Sequence, residues 1–397
     1  NQEIIRIRNQ KRVLRYVLNK DTVTVKELAD KLELTAPTMI SIIDQLISIG
    51  LVQECGYIPT KRGRKPTMYC LNESFKYIIT VDLGQSNMFV GISNLIGDFV
   101  DIKDESVDSE KEIITFSKHL AQFIKKMLKD NSIKKDEVAV IVVGNVGVVD
   151  ENTGAISYAA GNAVWRSEPI KLFLEESFTC PVIVKNDINL SAIGEHIRGV
   201  TQDNSSFAFF RFDVGAKAGI MIDDKLYEGH DGAAGEIGFS IISLQTKESV
   251  LLDRLEQHIT LNNLCANVWD TIVDNGNSPL LSHCKKTNQK VNTRLLGEYY
   301  LLDNKVNKLL SEYLIRIGNL IINFIAVLNV PIIVLGGGIV NLGEQFLGNL
   351  QKYVDNNCFF APEIKYSSIK EYSGLIGASS IGVELFLDSI NLDSIND

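Results

Sequence analysis

The sequence predicts an α/β protein in which a small helix-turn-helix module with a wing precedes a larger body of alternating strands and helices. Three observations lead there. The first 50 residues carry three apolar patterns at helical spacing, separated by short polar turns. From Tyr77 onward, strand-like runs end repeatedly in glycine-containing turns. Charge is also divided: residues 1–76 hold 13 Lys and Arg against 8 Asp and Glu, a net of +5, while the remainder holds 27 against 41, a net of −14. That asymmetry separates a module suited to a polyanion from a body that is not.

The bulk numbers narrow the class further. A chain of 397 residues suits two or three domains, and 45% hydrophobic with 22% charged residues is ordinary for a globular protein. No uninterrupted apolar run approaches the roughly 18 residues of a membrane span, and the charged N-terminus lacks the apolar block of a signal peptide. Cys55, Cys70, Cys180, Cys265, Cys284 and Cys358 are scattered without a C-x-x-C pair. A cytoplasmic protein without membrane association is therefore expected.

In the N-terminal module, Ile4, Ile7, Val13, Leu14, Val17 and Leu18 predict a first helix over 3–19. Thr24 with Glu27 three residues on is a capping-box pattern opening a second, with Val25, Leu28, Ala29 and Leu32 on one side. Glu33-Leu34 makes the turn. Thr35 is an N-cap for a third helix reaching about Ile49, with Pro37 in its first turn and Gly50 as its stop. Thr35, Ala36, Pro37, Thr38 and Ser41 are small or hydroxyl-bearing, which permits close approach to a major groove. Leu51-Val52 and Thr67–Leu71 read as wing strands. Between them, Lys61, Arg62, Arg64 and Lys65 flank Gly63 and precede Pro66, as a basic linker suited to a narrow minor groove would. A helical module that binds another protein is the bland alternative, which the basic run weighs against.

In the body, strands are read at Tyr77–Val81 ending in Asp82-Leu83-Gly84, Val138–Val143 ending in Gly144, and Val182–Asn186 followed by Asp187. Two more are Phe207–Phe212 and Pro331–Leu335, the last ending in Gly336-Gly337-Gly338. Backbone N–H groups at such turns can face a phosphate. The pair Asn186-Asp187 also suits a plain helix N-cap.

The stretches Asp82-Leu83-Gly84, Gly161-Asn162-Ala163-Val164-Trp165, Lys185-Asn186-Asp187, Ala234-Gly235-Glu236-Ile237-Gly238 and Leu335-Gly336-Gly337-Gly338 resemble the ROK family (repressors, open reading frames and kinases). The likeness is to its repressor branch, the xylose-repressor and N-acetylglucosamine-repressor type. It implies a winged helix-turn-helix at 1–72 followed by a two-lobe actin-like, ribonuclease H-like sugar-kinase fold. The lobes would cover 77–186 and 187–390, with the C-terminal helix returning to the first. A sugar would lie between them, hydrogen-bonded by Asn162, Asn186, Asp187 and Glu236, with Glu256 as a looser match; in kinase members the aspartate at 187 is the general base.

Three departures alter that expectation. Phe239 stands where the family's zinc-site histidine belongs, and Ser243–Ser249 contains no cysteine, so no structural zinc is expected. His283-Cys284 has no partners in sequence and reads as a surface loop. Loss of the histidine also removes a sugar contact. In Phe212–Gly219, Asp213 places a carboxylate where a nucleotide phosphate would lie, Val214 replaces a hydroxyl and Lys217 adds bulk. The expectation is a sugar-responsive DNA-binding repressor without kinase activity or cofactor, Asp187 being a vestigial base. Its partners are a double-stranded operator, a sugar or sugar derivative, and a second copy in a homodimer or tetramer. The stretch 296–328 and the helix Ile376–Leu387 offer apolar surface for that self-association. The alternatives are an active sugar kinase carrying a DNA module, and a regulator controlled by a protein partner.

Overall fold

The computed structural model describes residues 2–59, 65–84, 87–107, 113–150, 153–158, 170–213, 215–244, 252–274 and 276–390. The first module is α1 (Gln2–Leu18), α2 (Val25–Leu32), α3 (Ala36–Ser48), β1 (Val52–Tyr57) and β2 (Thr67–Leu71). Val13, Leu14, Val17, Leu28, Met39, Ile43 and Leu46 are buried against one another. Thr24 caps α2 by accepting from the Glu27 N–H, but the reciprocal half of the capping box is missing: the Glu27 carboxylate accepts from Tyr16 Oη at 3.0 Å. Thr35 caps α3 through the Thr38 N–H.

The wing is an antiparallel pair of strands. Strand β1 runs to Tyr57, pairs with β2 from Val52↔Leu71 to Tyr57↔Thr67, and the Ile58 N–H donates to the Pro66 carbonyl at 2.9 Å. The basic run lies in sequence between these two paired strands, where it was expected. Of that run Lys65 alone lies within the described residues. The connection to the body is the short stretch 72–76, tied back by Asn72 Nδ2 to the Gly50 carbonyl at 2.9 Å.

The body contains two sheets with the same strand plan. The first is built from β3 (Tyr77–Leu83), β4 (Asn87–Ser93), β5 (Phe99–Ser106), β6 (Val138–Asn145) and β9 (Val182–Asn186), with α4 (Ile113–Asp130), the short hairpin β7 (Val148–Val149) and β8 (Ile156–Tyr158), and α5 (Ile170–Glu175) between them. Its order is β5-β4-β3-β6-β9: an antiparallel meander, then two parallel strands. Helix α6 (Asp187–Arg198) leads to β10 (Phe207–Phe212), β11 (Ala216–Ile222) and β12 (Lys225–Leu226). A small hairpin, β13 (Ile241–Leu244) with β14 (Leu252–Arg254), precedes a helical stretch: α7 (Glu256–Ile259), α8 (Leu261–Asp274), α9 (Pro279–Thr287), α10 (Thr293–Tyr299) and α11 (Asn304–Leu328). Then follow β15 (Ile332–Gly337), α12 (Gly343–Asn357), β16 (Glu363–Tyr366) and α13 (Ser373–Ser389). The second sheet runs β12-β11-β10-β15-β16, again a meander and two parallel strands. The repeated plan is the actin-like, ribonuclease H-like arrangement, and it brings the ends of β3 and β10 to one cleft.

Helices α6 and α13 pack closely on each other between the sheets. A Cβ on Gly194 would lie 2.0 Å from the Ser373 carbonyl oxygen, and one on Gly377 would lie 1.9 Å from that of Leu190, so backbone meets backbone at this crossing. Two expectations need correction. The apolar surface of α13 is spent inside the chain: Leu375, Ala378, Val383, Phe386 and Leu387 are buried, packing on β3, β6 and the first module, so it is not a free surface for self-association. His283-Cys284 lies within α9, capped by Ser278 and with Cys284 buried, and is not a loop. Among the described residues, α11 alone is long and apolar enough to cross a membrane; its stripe of Val306, Leu310, Ile317, Ile321 and Ile325 is buried in the core of the second sheet.

Candidate functional site

The cleft between the sheets has a volume of about 630 Å³, within the usual range for a small-molecule site. Its charged lining comes from strand ends and helix starts. Asp187 opens α6 immediately after β9, and its carboxylate lies 3.4 Å from Arg211 Nη1 and 3.5 Å from Lys217 Nζ. The Lys217 ammonium also sits 3.9 Å from Glu236. Glu256, the first residue of α7, lines the same wall. Burial raises the Glu236 carboxyl above its ordinary value; Lys217 opposes this, and Asp187 and Glu256 add to it. Glu256 is raised by burial likewise, against Lys217 and Arg254.

Three of the sugar-contact candidates, Asp187, Glu236 and Glu256, thus meet around one lysine. Asn186 has a different setting: its side-chain oxygen caps α6 by accepting from the Ile188 N–H at 3.0 Å, and its amide donates to the Gly147 carbonyl at 2.8 Å. Asn162 lies outside the described residues. At the position expected for the zinc-ligating histidine, Phe239 packs beneath Arg254, whose guanidinium is 4.6 Å from the ring centre. An aromatic carbon ring cannot ligate zinc, so the residues present do not fit the family's metal site.

Arg211 was missed by sequence reasoning. Burial works against its charge, but Asp82, Asp213 and Asp187 hold it firmly protonated. The signal was present as one charged residue in the otherwise apolar strand Phe207–Phe212. Asn87, Asn292 and Thr293 also line the cleft without having been singled out. Among the described lining residues, five carboxylates (Asp82, Asp187, Asp213, Glu236, Glu256) stand against Arg211 and Lys217. Such a site can offer hydroxyl groups planar acceptors and an ammonium donor, and it repels a polyphosphate. At the end of β3 the Gly84 N–H is occupied, donating to the Asn87 carbonyl at 3.0 Å.

Asp82 carries a pH consequence. It is 3% exposed, and its Oδ1 has no hydrogen-bond partner. Burial pushes its carboxyl from the ordinary 3.8 up to about 6; Arg211 opposes the rise, and Asp187 and Asp213 add to it. A raised carboxyl favours the native state when protonated, so this contribution is complete below pH ~4 and is lost as pH rises through about 6. Asp82→Asn is therefore expected to raise stability at pH 8 by on the order of 3 kcal/mol, with the gain vanishing toward pH 4. Urea unfolding of both proteins across that range checks this; a gain that did not change with pH would contradict it.

The second candidate surface is α3. Met39, Ile42, Ile43 and Leu46 face inward, while Thr35, Ala36, Pro37, Thr38, Ile40, Ser41 and Asp44 are exposed. The five helix residues expected at the major groove thus share one outward end of the module. The Thr35 and Thr38 hydroxyls bond each other at 2.8 Å. No Lys or Arg occurs in α3. Part of the module's positive charge is already paired: Arg15 Nη2 is 2.8 Å from Glu384 and 3.1 Å from Asp388, and Lys11 Nζ is 3.6 Å from Asp388.

Comparison with known proteins bears on both surfaces. The sequence pattern described as the ROK family matches residues 78–384, and a winged helix-turn-helix DNA-binding pattern matches residues 8–53. The chain is similar to a xylose repressor of Caldicellulosiruptor bescii, 24% identical over 385 residues that cover 95% of this chain and 96% of the relative. It superposes on a ROK family transcriptional regulator, a homologue of the Escherichia coli MLC protein, with a TM-score of 0.79 and 19% identity, covering 96% and 97% of the two chains. It superposes on a ROK family glucokinase from Streptomyces griseus, in complex with glucose and AMPPNP, with a TM-score of 0.63 and 20% identity, covering 77% of this chain and 98% of the other. At these identities the superpositions establish the fold.

Proposed function

We propose, from the premise that the chain belongs to the ROK family, that it is a sugar-responsive DNA-binding repressor whose kinase-like body binds its effector without phosphorylating it. In this reading residues 1–72 are the DNA-binding domain, 77–186 the first lobe and 187–390 the second. Thr35, Ala36, Pro37, Thr38 and Ser41 approach the major groove, and Lys61, Arg62, Arg64 and Lys65 supply contacts from the wing. Asp187, Glu236 and Glu256 take sugar hydroxyls, with Asn162 and Asn186 completing the contacts. The protein acts as a homodimer or tetramer, because two half-sites need two modules at fixed spacing.

One observation carries this reading. Helix α13 runs from the cleft to the first module: Gly374 at its start lies against the Asp82 carboxylate in the cleft, and Glu384 and Asp388 near its end bind Arg15 and Lys11 of α1. A sugar that favours one arrangement of the lobes therefore has a packed route to the helix-turn-helix. The absence of phosphoryl transfer is supported by the five carboxylates that line the cleft, Asp213 among them, which disfavour a polyphosphate beside the sugar.

The test is fluorescence anisotropy on DNA from upstream of the protein's own gene, at stated salt, against a panel of pentoses, hexoses and amino sugars. One sugar should shift the binding curve. Asp187→Asn and Glu236→Gln should each weaken that sugar's effect at least about tenfold while leaving sugar-free DNA affinity unchanged. Sugar-dependent ATP turnover by the purified protein would refute the non-catalytic assignment. DNA binding that no sugar moves would favour control by a protein partner.

A further inference from the structure

The turn Gly336-Gly337-Gly338 at the end of β15 has the form of an anion cradle, with Gly337 at φ +78° and the next N–H directed outward. That N–H does not await a ligand: Gly338 donates to Asp213 Oδ1 at 2.8 Å, and Arg211 Nε donates to Asp213 Oδ2 at 2.9 Å. A Cβ on Gly337 would lie 2.7 Å from Asp213 Oδ2, so the turn closes around the carboxylate. A backbone N–H and a guanidinium are the two donors a phosphate would use, and both are charge-assisted here. The side chain is 39% exposed and faces the cleft, so this carboxylate is reachable from the ligand side.

We propose that Asp213 is a resident anion: it fills the glycine turn, engages Arg211, and sets the cleft to accept uncharged ligands and refuse phosphorylated ones. This rests on the reading of the cleft as a small-molecule site. Removing the carboxylate opens an anion site made of the Gly338 N–H and a freed Arg211, and leaves the cleft one negative charge poorer.

The experiment titrates inorganic pyrophosphate by calorimetry into the full-length protein and into Asp213→Gly, at low salt. The variant should bind at least about tenfold more tightly than the native protein. Asp213→Asn can keep the bond to the Gly338 N–H while losing the charge, and should show a smaller gain; it also serves if the glycine variant fails to fold. A folded variant with native circular dichroism and native DNA affinity that binds pyrophosphate no better would overturn the proposal. So would a native protein that binds pyrophosphate as tightly as Asp213→Gly. The outcome is separable from the proposed function, since the sugar response of the native protein is read without pyrophosphate and stands or falls independently of this titration.

Discussion

Gly377→Ala is expected to destabilise the protein by about 3 kcal/mol and to abolish DNA binding and sugar response together. The added methyl would lie 1.9 Å from the Leu190 carbonyl oxygen, with Gly194 N 3.1 Å away. Both neighbours belong to the backbone of α6, so no side chain can rotate aside; the helices must separate. Separation would disturb α6, which begins at Asp187, and α13, which holds Arg15 through Glu384. Urea unfolding followed by circular dichroism measures the loss. A variant with the native midpoint would show that the crossing is looser than its geometry implies. A destabilised variant that still responded normally to sugar would remove α13 from the route between cleft and DNA.

Replacing Lys61, Arg62, Arg64 and Lys65 together by Gln is expected to weaken operator binding roughly a hundredfold near physiological salt. It should also reduce the slope of log affinity against log salt by up to about 3.6. Helix α3 has no Lys or Arg, Lys11 and Arg15 are paired to α13, and Arg12 donates to the Leu32 carbonyl. Lys61, Arg62, Arg64 and Lys65 are the densest cluster of cations in the first 76 residues. Anisotropy across a salt series reads both quantities. An unchanged slope would mean that the wing does not approach the phosphates, leaving α1 and the exposed face of α3 to carry the contact.

Much of this architecture was legible because it is local. Helix starts were marked by Thr24 and Thr35, and the strands of both sheets by short apolar runs. The wing was half legible: Thr67–Leu71 reads as a strand, but Val52–Tyr57 carries Gln, Glu and Gly, and its partner lies across a basic loop. The site was legible where family text survives, at Asp187 and Glu236. It was illegible where distant segments neutralise each other. Nothing near Asp213 announces that Gly338, 125 residues away, will donate to it, or that Arg211 will stand among three aspartates. The burial of the end of α13 against the first module was hidden for the same reason: its apolar residues would equally suit a subunit interface.

The joint between α1 and α13 bears on how such proteins can be recombined. Val13, Leu14 and Val17 share one continuous core with Val383, Phe386 and Leu387, and Phe75 meets Phe386 with ring centres 6.4 Å apart. The DNA reader is therefore not a bead on a string. A transplant cut at residue 72 would leave the recipient body with an uncovered apolar helix end and the graft with a bare flank. The exchangeable unit is discontinuous, consisting of the first 76 residues with the last two turns of α13, and chimeras built on that seam should stay soluble where simple head swaps aggregate.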